Sequence, residues 1–130
     1  MLLDRACPQG GWNAGNGIVY GVPLRPHVDA TALALVALRV HRHRPTVNSS
    51  LTWMLNQINC SSAYSLAWLI LSAAAFKDCR SDVLPVLDTA RKRLAALVEE
   101  PQQIQDTSTL ALAALALDLE TTDNPLEVRS

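Results

Sequence analysis

Two aspartates open matching stretches of this sequence. Asp29-Ala30-Thr31-Ala32-Leu33-Ala34-Leu35 aligns with Asp106-Thr107-Ser108-Thr109-Leu110-Ala111-Leu112, and Ser62-Ala63-Tyr64-Ser65-Leu66-Ala67 is a looser copy. A carboxylate at such a place has two uses. It can accept backbone N–H bonds as a helix N-cap, or it can face a cavity as an acid. General-acid chemistry needs a carboxyl group supported by neighbours that tune it, and each aspartate here stands alone, so Asp29 is only a weak catalytic candidate. Tyr64 and Trp68, four residues apart on one helix, can line a hydrocarbon cavity with their π faces or simply pack in the core. Trp12 and Asn13 lie in a glycine-rich run, where they either pin the loop to a helix end or touch a ligand. Trp12, Tyr64, Trp68 and Asp106 are thus the candidate ligand-binding residues.

Other chemistry-bearing residues are less suggestive. Arg39-Val40-His41-Arg42-His43-Arg44 closes a helical stretch, where cations complement the helix dipole; an anion site is the alternative. His41 and His43, two positions apart, do not share a helical face and so make no metal pair on a continuing helix. Cys7, Cys60 and Cys79 form no paired framework, which points to a reducing, cytoplasmic setting. Cys7, His27 and Asp29 have no metal-ligand spacing, and no cofactor motif is present.

The elements that must position these residues are helices. All glycines fall between Gly10 and Gly21, so the chain reads as a stub, Met1–Arg5, a Gly/Pro loop, Cys7–Pro26, and then helix-forming sequence. No β-branched alternation follows the loop. Five helices are expected at about 29–42, 47–59, 62–77, 84–99 and 106–119, with Glu120–Ser130 as a flexible tail. In domain terms this is one unit, 1–130, with stub and loop over 1–28 and helical hairpins over 29–119. The first, third and fifth helices are apolar on every side and must be covered all round. The second carries one stripe, Val47, Leu51, Met54, Leu55 and Ile58; the fourth carries Leu87, Ala90, Leu94, Leu97 and Val98. This alternation predicts a two-layer, all-α array of antiparallel helical hairpins. It predicts highest burial for Leu33, Leu35, Leu112 and Leu115 and low burial for Arg91, Lys92 and Arg93. The inner helices start 33 and 44 positions apart, a helical-hairpin repeat length.

The loop Gln9-Gly10-Gly11-Trp12-Asn13-Ala14-Gly15-Asn16, followed by Asp29-Ala30-Thr31-Ala32-Leu33-Ala34-Leu35, resembles repeats of the squalene cyclase and protein prenyltransferase superfamily. The likeness covers residues 2–76 well and 82–118 more loosely. It implies a partial α/α toroid, an inner ring of parallel helices inside an outer ring, and an apolar or isoprenoid-like ligand. The chain departs from the family at its working residues. Gln9 adjoins Gly10 instead of preceding it by several residues. The acidic cyclase motif is reduced to Asp29, and neither the zinc set nor the aspartate-rich magnesium motif is present. Enzymatic activity is therefore left open.

Composition narrows the field further. With 130 residues, 11 Lys+Arg and 12 Asp+Glu, the net charge is −1, which argues against nucleic-acid binding. At 49% hydrophobic and 18% charged residues the chain is not disordered. Its longest mostly apolar run, Ala63 to Phe76, is shorter than the ~20 residues a transmembrane helix needs. Two function classes remain. One is a cyclase-like or prenyltransferase-like toroid domain, whole or part of a longer chain, that binds an apolar small molecule. The other is a non-enzymatic helical-repeat module that binds protein or self-associates. Five helices cannot close a ring, so the fifth is expected to present Leu110, Leu112, Leu115 and Leu117 to another copy or to further toroid chain.

Overall fold

The structure is a computed structural model and describes residues 2–13, 15, 18–59, 62–100 and 107–118. Asp106, Cys60 and the segment 120–130, all named from the sequence, lie outside the described residues. The chain begins with a short 3-10 turn, Leu3–Arg5, and enters the loop. Within the loop the expected absence of strands is corrected: β1 (Ile18–Val19) and β2 (Val22–Pro23) pair antiparallel, with Val19 opposite Val22. Tyr20 and Gly21 turn the hairpin with φ of 50° and 77°. Positive φ at both central residues is the type I′ geometry that matches strand twist. Both strands are exposed, so the hairpin stands outside the core, and the chain is otherwise mostly helical.

Five helices follow: α1 (Val28–Ala37), α2 (Pro45–Leu55), α3 (Ala63–Ala74), α4 (Val83–Val98) and α5 (Thr107–Leu117). α1 starts one residue earlier than expected, on His27, so Asp29 is not its N-cap. It sits in the first turn, where a negative charge still meets the positive end of the dipole. α1 also ends early. At Leu38 the backbone leaves the helical region (φ −97°, ψ 12°), and Arg39–His41 tighten into a 3-10 turn. Pro45 opens α2 at its first position, where a missing N–H costs nothing. Ser62 caps α3, its hydroxyl accepting the Ser65 N–H at 3.3 Å. Pro85 falls in the first turn of α4 and is tolerated for the same reason as Pro45.

α3 packs against all four other helices; α2 also meets α1, and α4 also meets α5. The central helix buries Leu66, Leu69, Ile70 and Leu71 almost completely, leaving mainly Tyr64, Ser65 and Trp68 toward solvent. Each such aliphatic side chain contributes about 1.5–3 kcal/mol. α2 buries Val47, Leu51, Met54 and Leu55, and α4 buries Val83, Leu87, Ala90 and Leu94. All but Val83 belong to the two stripes read from the sequence, whose remaining members, Ile58, Leu97 and Val98, are half-buried. One core runs from Trp12 to Ala116.

Two expectations about burial are corrected. Leu35 is fully buried, but Leu33 is 51% and Leu115 47% exposed, and Leu112 is half-buried. α1 and α5 flank α3, so each has neighbours on one side and bares the other. On α4, Lys92 is exposed as expected, whereas Arg91 and Arg93 are half-buried. Arg93 reaches across to donate from Nη2 to the Asn59 carbonyl at 3.1 Å, joining α4 to the α2–α3 turn.

Candidate functional site

The glycine loop reaches the helices through a dense set of hydrogen bonds. The Gly11 N–H donates to Ser50 Oγ on α2 at 2.8 Å. The Trp12 N–H donates to Thr31 Oγ1 on α1 at 2.9 Å, and that hydroxyl donates back to the Trp12 carbonyl at 3.1 Å. The same carbonyl accepts the His27 N–H at 2.8 Å, and Trp12 Nε1 donates to the Leu2 carbonyl at 2.7 Å. Loop, stub, α1 and α2 are thereby held together around one tryptophan, which is 3% exposed. Gly11 sits at φ +82°, and a Cβ there would lie 2.7 Å from Pro26 Cβ and 2.9 Å from Thr31 Oγ1. Only glycine suits both the backbone angle and the space.

Beside this junction lies a cleft of about 360 Å³ between the stub, the loop and the bare side of α1. Leu2, Trp12, Ala30, Leu33, Ala34 and Ala37 give it an apolar wall; Arg5 and Asn13 supply its polar side chains. Asn13 is held in place, its Oδ1 accepting the Gly15 N–H at 2.8 Å and its Nδ2 approaching Cys7 Sγ at 3.8 Å. Among the described residues the lining includes no carboxylate, thiol, hydroxyl or imidazole side chain. Such a surface can hold an apolar body and orient one polar group.

Of the candidate ligand-contacting residues named from the sequence, the structure brings Trp12 and Asn13 to the cleft. Asp29 is half-buried in the first turn of α1 and does not line it. Tyr64 is 37% exposed and Trp68 half-buried, on α3 and away from the cleft. Trp68 Nε1 is shielded from water without a hydrogen-bond partner. Sequence reasoning missed Arg5, Leu33 and Ala37. Leu33 and Ala37, four positions apart, carried a usable signal, but uniform apolarity in α1 hid which side would be bare.

Elsewhere, a shallow depression of about 550 Å³ runs along α5, lined by Ala111, Ala114, Leu115, Leu117 and Asp118. Cys7 is buried, which pushes its thiol pKa up against a smaller opposing effect from Asn13, while Cys79 is exposed. Arg80 bonds Asp82, holding that carboxyl below its usual range. Among the described residues no three His, Cys, Asp or Glu side chains gather to hold a metal. Nor is any described helix long and apolar enough to cross a membrane. No family model, curated protein or solved structure matches the chain.

Proposed function

We propose that this chain is a binding unit built like part of an α/α toroid, taking an apolar, isoprenoid-like small molecule in the cleft beside α1. The observation that carries this reading is the cleft's lining: an apolar wall ending in one guanidinium and one amide, with no acid or nucleophile. The reading is of binding without catalysis. The resemblance of Gln9-Gly10-Gly11-Trp12 and the Asp29 segment to cyclase and prenyltransferase repeats supports the toroid architecture, and the central place of α3 between α1 and α5 is compatible with it. Asp29 is not assigned an acid role, because it stands apart from the cleft.

The test is a titration of the purified chain with farnesol, followed by tryptophan fluorescence, since Trp12 forms part of the wall. Saturable quenching is expected, and Leu33→Asp, at a half-exposed position that tolerates a charge, should abolish it. Absence of saturable change up to the solubility limit, or an unchanged response in Leu33→Asp, overturns the reading.

A second reading has its own observation. Leu110 and Leu115 on α5 are 50% and 47% exposed, with Ala111 and Ala114 beside them. Covering ~400 Å² of such a face is worth on the order of 10 kcal/mol before association costs. We infer that α5 meets another copy or further toroid chain. Sedimentation at tens of micromolar should give a dimer that Leu110→Asp/Leu115→Asp converts to monomer. A wild-type monomer that binds no hydrophobic dye refutes it.

A further inference from the structure

From Ala30 through Lys77 the chain contains no aspartate or glutamate, yet it carries Arg39, Arg42, Arg44 and Lys77. Three of these cations, together with His41 and His43, crowd into the turn between α1 and α2. The turn is ordered by its own backbone. Arg42 N–H donates to the Arg39 carbonyl at 3.2 Å and Arg44 N–H to the His41 carbonyl at 2.9 Å. Asn48 Nδ2 on α2 then donates to the Arg42 carbonyl at 3.1 Å. Arg42, His43 and Arg44 are exposed, and the ion pairs of the described residues leave Arg42 and Arg44 without an acidic partner. Asp82 is engaged by Arg80, which also bonds Thr52 Oγ1 and the Asn48 carbonyl on α2.

In the middle of this cationic turn stands Val40, 76% exposed. It follows the end of α1, on which Leu33 is 51% exposed and Ala37 is also exposed. An exposed valine beside Arg42 and Arg44, which have no acidic partner among the described residues, fits a surface that is apolar below and anionic at its rim. We propose that the α1–α2 turn docks on an anionic phospholipid surface, with Val40 entering the headgroup boundary and Arg42 and Arg44 against lipid phosphates or carboxylates. A nucleic-acid backbone would satisfy the arginines but leave the valine in water, and the exposed valine decides for lipid. The β1–β2 hairpin also bares apolar side chains, but no charge lies between Ile18 and Leu24 to specify what covers it.

The proposal stands on Val40, Arg42 and Arg44, none of which lines the cleft, and holds whether or not the cleft takes an isoprenoid. Its test is co-sedimentation of the full chain with vesicles of phosphatidylcholine containing 30% phosphatidylserine, against pure phosphatidylcholine vesicles. Binding is expected only to the anionic vesicles and should fall as NaCl is raised from about 0.1 M to about 0.5 M. Each arginine near such a surface is worth about fivefold in affinity, so Arg42→Gln/Arg44→Gln should bind about 25-fold more weakly. Val40→Asp should also lose binding, while both variants keep the wild-type circular dichroism and farnesol response. Equal binding to neutral vesicles, no vesicle binding, or vesicle binding unaffected by Val40→Asp would overturn the proposal. So would heparin binding that survives Val40→Asp in a chain that ignores vesicles.

Discussion

Gly11→Ala separates two costs that are usually mixed. Gly11 has φ +82°, and an added Cβ meets Pro26 Cβ at 2.7 Å, Thr31 Oγ1 at 2.9 Å and Trp53 Cε3 at 3.0 Å. A left-handed backbone costs a non-glycine residue about 1–2 kcal/mol, and forcing a methyl group into filled space adds about 1–3 kcal/mol. The sum is about 2–5 kcal/mol, a large share of the ~5–15 kcal/mol that holds a domain folded. Gly21 provides the control, with φ +77° and no atom within 4 Å of the added Cβ. Gly21→Ala should therefore show the backbone cost alone. In urea melts with a slope of ~1.5 kcal/mol per M, Gly21→Ala should lower the midpoint by about 1 M and Gly11→Ala by about 2–3 M. If Gly11→Ala proves no worse than Gly21→Ala, the loop is not seated on α1 and α2 as described.

Thr31→Val keeps the shape but orphans the buried Trp12 N–H, and urea melts should show a loss of about 1–3 kcal/mol; a neutral result removes that hydrogen bond from the account. Ile70→Ala, at a site with no exposure, should cost about 2–5 kcal/mol by the same assay. Peptide mapping after brief iodoacetamide treatment should find Cys79 modified well before Cys7, whose burial and raised pKa suppress the thiolate; early labelling of Cys7 contradicts this. Asp82 has a lowered folded pKa, so its pairing stabilises the fold above the unfolded carboxylate pKa and is lost as pH falls through the folded one. Because the pair is exposed, Arg80→Ala should change the acid limb of a stability–pH curve only slightly, and a large change would refute the surface assignment.

The helices were legible because their signals were local. The stripes of α2 and α4 named the buried residues nearly one by one, and Pro45 marked the start of α2. The uniform helices were harder. Leu33 and Leu35 are equally apolar, yet only Leu35 is buried, because which side lacks a neighbour depends on long-range packing. The β1–β2 hairpin was missed because two-residue strands carry no periodicity. The cleft was half legible: Trp12 announced itself within its glycines, but Arg5 reaches the site only because the stub folds back against the indole, a contact no spacing encodes.

The position of α3 governs how the protein can come apart. The amides of its buried stretch, Leu69 to Ala74, lie among its neighbouring helices, so solvent reaches them when a neighbouring helix lifts away. Hydrogen exchange there therefore has no shallow route and should report the global opening. The flanking helices can fray from their bare sides without disturbing it. The molecule thus has a stability gradient from the middle outward, and its slowest-exchanging protons belong to the helix that offers solvent the least.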